Sequence, residues 1–413
     1  MRFCHICLTL ISFVAFATKV QHPRMPTPTA VPVPTATVDR HSRLAALALT
    51  LALPADAVLY LLLPMYADQF GVTLAQAGLL LAANRLIRIV GYGYVTRFYA
   101  RHGDRATCTL AVLGAAVCAA GNASLSGLWM LLPLRLLWGL CFAALSLSTQ
   151  ALATADPAGA ARRSGRSRAF SALGPVVALP LAAVFAHFWG PRSVFWVFAL
   201  AALAGLLVTR GLPTLPHAMP ARRRGLKLPN SLDSWSFLEG LTLDGLFIIG
   251  LSYLGGDVLP GGAVLVAGSL LAVRYLGEIL LSPLGGHLAD QFGAERMLVV
   301  LSLMTCAALV GFGLGWVWGG AAVIVVLRAL QLPLLAPIVA MRTPGPERVQ
   351  ALVSRSVWRD IGAGTGPVLA GLLLPIMAPV WIYAVPAALL GVAAIMCARR
   401  PGSVPAAAVQ SGE

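Results

Sequence analysis

Charge is what this sequence has least of. Only 11% of its 413 residues are Asp, Glu, Lys or Arg, against about a quarter in soluble domains, while 58% are hydrophobic and the mean hydropathy is +0.82. That shortage excludes an ordinary water-soluble domain. Acidic residues are scarcer still, 15 against 30 Lys and Arg, for a net charge of +15. The arginines are nevertheless spread over short segments between apolar runs, not gathered in one basic domain, which argues against a nucleic-acid-binding module and makes them topology signals. Cys108, Cys118, Cys141, Cys306 and Cys397 fall singly inside apolar stretches and read as small buried hydrophobes. Cys4 and Cys7 form a C-x-x-C with no partners elsewhere. The chain has no G-x-x-x-x-G-K-[ST] loop, which argues against ATP hydrolysis, and no H-E-x-x-H, G-x-S-x-G or grouped His/Cys/Asp set on which a polytopic membrane enzyme would depend. No cofactor or metal is expected.

What is there is apolar chain. At about 20 apolar residues per crossing helix, the runs read as twelve spans: 44–66, 74–98, 108–120, 128–152, 169–188, 194–208, 236–254, 262–284, 298–313, 317–341, 361–377 and 380–398. The fold class is therefore an all-α membrane protein. Between the sixth and seventh spans, residues 211–233 hold Arg222, Arg223, Arg224, Lys227 and several prolines, a linker between two bundles, 44–210 and 234–398. Residues 1–43 stay outside the fold. Their apolar stretch from Ile6 to Ala17 is signal-like, while a start at Met25 would leave a Pro/Thr-rich tail too polar to pack. Residues 399–413 form a short tail. Assigned alternately, one set of loops receives nearly every arginine and the other essentially only Arg192, so both termini are expected in the cytoplasm.

The two parts repeat. Ala77-Gly78 with Leu80-Leu81-Ala82 returns 190 positions later as Ala267-Gly268 with Leu270-Leu271-Ala272, and the same offset carries Gly103 onto Gly293. Further on, Leu173-Gly174-Pro175-Val176 matches Thr365-Gly366-Pro367-Val368, and Arg135 in the fourth span matches Arg328 in the tenth. Order and near-constant offset together point to duplication.

One polar loop interrupts the second part: GGHLADQFGAER, residues 285–296, which includes His287, Asp290, Glu295 and Arg296. Following the eighth of twelve spans, it resembles the G-x-x-x-D-x-x-G-x-x-[KR] signature of the major facilitator superfamily, through Gly286, Asp290, Gly293 and Arg296. Its first-half counterpart keeps Arg101, Gly103 and Arg105 but has Thr96 for the glycine and Ala100 for the acid. Arg135-Leu-Leu-Trp-Gly139 fits the family's R-x-x-x-G, and Gly362 to Gly366-Pro367 resembles the glycine-proline motif of its exporters, usually carried by the fifth helix, where this chain keeps Gly174-Pro175. The resemblance spans Leu44 to Ala398. It implies two six-helix bundles rocking about a midplane site, with the loop as a cytoplasmic latch in which Asp290 bonds helix amides or an arginine.

Ionisable residues inside the spans are the site candidates, since a charge at the bilayer centre costs at least ~2.5 kcal/mol and normally faces a cavity or a partner. Asp56 lies roughly 18 Å along the first helix from Leu44 at ~1.5 Å per residue, and Asp244 lies at a similar depth in the seventh. Either carboxylate is a candidate to bind substrate or to exchange a proton as access alternates; a permanent ion pair is the plainer alternative. Glu239, nearer the helix end, is expected to be solvated. Asn84, Arg85 and Arg88 share one side of the second helix, Arg274 and Glu278 one side of the eighth. With Arg135 and Arg328, the arginines outnumber the midspan carboxylates, which makes an anionic or zwitterionic substrate conceivable. The expected function is a secondary transporter of a small molecule, working as a proton-coupled exporter or else as a proton- or ion-coupled importer of the same fold; a polytopic membrane enzyme and a receptor without flux are the readings from other classes. It is expected to act as a monomer in an inner or plasma membrane.

Overall fold

The structure is a computed structural model that describes residues 35–216, 229–258 and 263–398. Among these residues it is helical throughout, with no strand. The helices are α1 (Thr35–Ala52), α2 (Pro54–Met65), α3 (Leu74–Ser124), α4 (Leu128–Ala153), α5 (Ala160–Phe188) and α6 (Val194–Thr209). A second series follows: α7 (Ser231–Glu239), a π-helical segment (Gly240–Leu246), α8 (Phe247–Val258), α9 (Ala263–Phe292), α10 (Ala294–Gly313), α11 (Val317–Gln331), α12 (Leu335–Arg342), α13 (Arg348–Leu373) and α14 (Pro379–Ala398). Eight described helices or helix pairs are long and apolar enough to cross a membrane, from Thr35–Met65 to Pro379–Ala398.

Local chemistry sets the boundaries. Asn230 opens α7 through a reciprocal capping box with Asp233, and Thr73 opens α3 in the same way with Gln76. The long helix α3 folds back at Gly103, whose φ of +73° suits glycine, so the second and third apolar runs are two rods joined at one residue. Three boundaries differ most from the apolar pattern: the first helix begins at Thr35, α5 at Ala160 and α13 at Arg348, each about nine residues or more before its apolar run. Val38, Ala160, Ala161 and Val349 in these early turns are buried against protein, so apolarity alone undercounted them.

Each series builds its own core. Leu59, Leu80, Leu131, Leu145 and Phe195 are buried in the first, and Trp235, Leu298, Phe312, Ile324 and Tyr383 in the second. The outward faces carry Val90, Leu200, Leu280, Val300 and Ile376, all largely exposed. Apolar side chains over the whole outside suit a lipid surround, not water. Trp129, Trp189, Trp316 and Trp381 are exposed at one end of the bundle, the far end, opposite the near end where α1 starts and α14 finishes. That is the place of an interfacial aromatic belt.

The two series meet most closely at the near end. α5 packs along α9, and α3 against α13. A Cβ on Gly286 would collide with the backbone carbonyl of Ala161, and one on Gly165 with that of Ser282, so glycine permits backbone contact between α5 and α9. Val349, Val353 and Val357 of α13 pack into the first core, and Arg348 donates to the Thr154 carbonyl at 2.5 Å.

Candidate functional site

A strip of buried charge runs between the two series at mid-depth. In the first, Arg135 Nη1 lies 2.6 Å from Asp56 Oδ1, and its Nε donates to the Leu80 carbonyl at 3.1 Å. Asn84 Nδ2 reaches the same carboxylate at 3.4 Å, and Tyr60 places its ring 5.5 Å from the guanidinium. In the second series Arg328 Nη2 lies 2.5 Å from Asp244 Oδ1, while its Nη1 donates to the Leu243 carbonyl. The repeat thus carries through to geometry: equivalent arginines hold equivalent aspartates.

The second half of the strip is denser. Asp244 sits in the π-helical segment, where an extra residue per turn re-aims side chains. It also faces Arg359 Nη2 at 2.7 Å and Arg274 Nη2 at 3.5 Å, and Arg359 Nε reaches Glu239 at 2.9 Å. Glu239 is 2% exposed, so the expectation that it is solvated is corrected: the helix end at which it sits is covered by α13. Glycine makes that possible. Gly245 and Gly366 approach so closely that a Cβ on either would lie 2.5 Å from the other's Cα, and Gly362 abuts the Phe237 carbonyl.

Contacts also join the two series across the strip. Arg88 Nη2 pairs with Asp360 Oδ1 at 3.1 Å, and Arg85 Nη1 donates to the Ala363 carbonyl at 3.1 Å. Arg88 and Glu278, equivalent under the repeat, therefore differ in use: Glu278 stays on its own helix with Arg274 at 3.4 Å. Asp360, Arg359 and Arg355 are members of the site that sequence reasoning missed. They precede the apolar run of α13 and read as loop, yet Arg355 and Arg359, four residues apart, share one side of a helix, while Asp360, next in sequence, faces the other series.

The near-end loop is built differently from its expected latch. Gly286 makes the close approach to Ala161 described above, and Gly293, with φ +89°, turns the chain from α9 into α10. Asp290 and Arg296 are exposed, and neither makes a hydrogen bond or ion pair among the described residues; Glu295 instead pairs with Arg342 at 2.8 Å. In the first-half counterpart Arg101 is exposed, while Arg105 Nε donates to the Leu212 carbonyl at 3.0 Å. A fully buried Asp104, one residue past Gly103, accepts from Tyr99 at 2.9 Å and from Ser148 at 2.5 Å. Gly174 lies against the Thr50 carbonyl, and Pro175 and Pro367 are carried inside α5 and α13. Gly286→Val is expected to open the near end, because the added carbons cannot coexist with the Ala161 carbonyl. The readout is maleimide labelling of Ser167→Cys, several-fold faster with the valine; an unchanged rate would show that this contact does not hold the end closed.

Among the described residues no group of three His, Cys, Asp or Glu is placed to hold a metal. Cys108, Cys118, Cys141, Cys306 and Cys397 are free, and Cys4 and Cys7 lie outside the described residues.

A comparison with curated proteins gave no match. Solved structures do match in fold. The crystal structure of the human organic anion transporter MFSD10 (TETRAN) superposes with a TM-score of 0.71 at 17% identity, covering 89% of this chain and 100% of that one. The proton:xylose symporter XylE, bound to 6-bromo-6-deoxy-D-glucose, gives 0.63 at 13% identity over 88% of this chain and 95% of that one. The profile of the Major Facilitator Superfamily matches residues 44–259 and again 245–413, once for each series of helices. The chain therefore belongs to the major facilitator superfamily, a family of membrane transporters and not of enzymes.

Proposed function

We propose that this protein is a proton-coupled secondary active transporter of a small anionic molecule, with twelve membrane helices in two six-helix bundles and both termini in the cytoplasm. The observation that carries the reading is the ion pair between Arg88 and Asp360, which ties one series to the other at mid-depth. A pair between two rocking bodies has to break in every cycle. Separating buried charges without replacing their partners costs about 3–5 kcal/mol. Protonation of Asp360 removes one of the two charges, and an anionic cargo on Arg88 re-pairs the other. Both events favour the same transition, so proton and anion travel together.

The charge balance agrees with an anionic cargo. Arg85, Arg88, Arg135, Arg168, Arg274, Arg328, Arg355 and Arg359 line or adjoin the strip, against Asp56, Glu239, Asp244, Glu278 and Asp360. Under an inward proton gradient such cotransport is uptake through a plasma membrane. Export by antiport is the second reading, supported by the glycine-proline sequence from Gly362 to Pro367. It requires proton and cargo to compete for one carboxylate, Asp56 or Asp244, and so fits a cationic cargo.

Purified protein in liposomes with a lumenal pH dye separates the two. In the first reading, small carboxylates or phosphates accumulate when the outside is acidic, and their entry acidifies the lumen. Amphipathic cations that enter while protons leave would establish antiport instead. No gradient-linked flux of either class from correctly inserted protein would sink both.

A further inference from the structure

Between the mid-depth strip and the closed near end lies a small cavity that neither the ion pairs nor the latch uses. We infer that it binds one oxyanion group, a carboxylate or a phosphate, held by Arg168 and Arg355; the inference rests on the transporter reading only for the route by which the anion arrives.

The walls come from two helical stripes. Ser164, Ser167, Arg168 and Ser171 follow one another at intervals of three, one and three residues on α5, and Ser146, Thr149, Gln150 and Ala153 do the same on α4. Each set lies on one face of its helix. Arg355 closes the cavity from α13, in the opposite series. The volume is about 30 Å³, where a single water needs roughly 10–15 Å³ by the same measure. That is space for a charged group and not for a whole drug-sized ligand.

The donors are uncommitted. Arg168 makes no hydrogen bond or ion pair among the described residues; its charged surroundings are Glu239, Glu278, Arg328 and Arg359, and none of the two acids is within ion-pairing distance. Arg355 is 3% exposed and spends one Nη on the Gln150 side chain at 2.9 Å, leaving its Nε without a partner. The Ser164 hydroxyl, also buried, has none either. Two guanidinium groups and a free hydroxyl facing one small space are donors in search of an acceptor, and no carboxylate among the described residues supplies it. An oxyanion accepts from both arginines at once and neutralises their mutual repulsion. Because Arg355 belongs to one series and Arg168 to the other, an anion bound here also bridges the two and favours the closed near end.

The test is direct binding to detergent-purified protein, with sodium acetate and inorganic phosphate as probes and chloride at matched ionic strength as reference. Thermal unfolding and calorimetric titration should both register saturable binding of at least one probe. Arg168→Gln and Arg355→Gln are each expected to weaken it about tenfold or more, the scale of one charge-assisted hydrogen bond. Arg162→Gln, at an exposed position on the same helix, should bind as the wild type does. Should a glutamine variant fail to fold, Arg168→Lys keeps the charge and is expected to bind with intermediate affinity. No saturable binding in the wild type, or equal binding in wild type and folded variants, overturns the site. The two proposals fail separately: gradient-linked flux without oxyanion binding removes this site and leaves the transporter reading. Binding that depends on Arg168, with no flux of any cargo, does the reverse.

Discussion

Asp360→Asn is expected to abolish uphill accumulation of the cargo while leaving exchange of internal for external cargo intact. Asparagine has the shape of the protonated acid but cannot give its proton up, so Arg88 loses its charged partner in every state of the cycle. Opening the interface then no longer requires a proton, and the proton gradient has nothing to act on. Accumulation in liposomes should fall by about tenfold or more, because a coupling step worth ~1.4 kcal/mol already changes an equilibrium tenfold. Exchange needs no net proton movement and should survive. Arg88→Gln makes a different loss, removing the positive partner that receives the anion, and is expected to lower exchange and accumulation together. Normal uphill accumulation by Asp360→Asn would place the coupling proton elsewhere, with Asp56 and Asp244 next in line.

The repeat was the most informative signal in the sequence. It paired Arg135 with Arg328, helix depth placed Asp56 and Asp244 alike, and the structure brings each aspartate onto the arginine of its own series. The pattern did not show which acids cross between series, because Arg88 and Asp360 lie on helices related by no simple offset. Arg355, Arg359, Asp360 and Arg168 were hidden for a common reason. A helix face turned to an internal cavity is polar, so its first turns look like loop when helices are sought by apolarity alone. Asp104 escaped notice because Ala100 stands where the loop signature places its acid. Asp290 carried the resemblance yet stands exposed, whereas the contact at that loop is a backbone approach through Gly286, which charge patterning does not reveal.

Asp244→Asn is expected to destabilise the protein far more than Asp56→Asn, although the two aspartates are equivalent in the repeat. Asp56 answers one arginine, and Arg135 would keep the Leu80 carbonyl and the face of Tyr60. Asp244 answers three, Arg274, Arg328 and Arg359, within 3.5 Å. Without it, the half-buried Arg274 and Arg359 are left with Glu278 and Glu239, and the buried Arg328 retains only the Leu243 carbonyl. Stranding a buried charge typically costs about 3–5 kcal/mol, and the repulsion among the three adds to it. Thermal unfolding in detergent should therefore rank wild type above Asp56→Asn and Asp56→Asn above Asp244→Asn. The double variant Asp244→Asn with Arg328→Gln removes the stranded charge together with its partner and should recover a large part of the loss, a non-additivity that marks residues in direct contact. Equal losses at the two aspartates, or strict additivity in the double variant, would mean that the arginines are held by the helix carbonyls and that Asp244 is not the hub of the strip. If the hub is there, the π-helical turn that carries it is the joint on which the second series balances its charge, and a cargo that draws any one of the three arginines away loosens the hold on the other two.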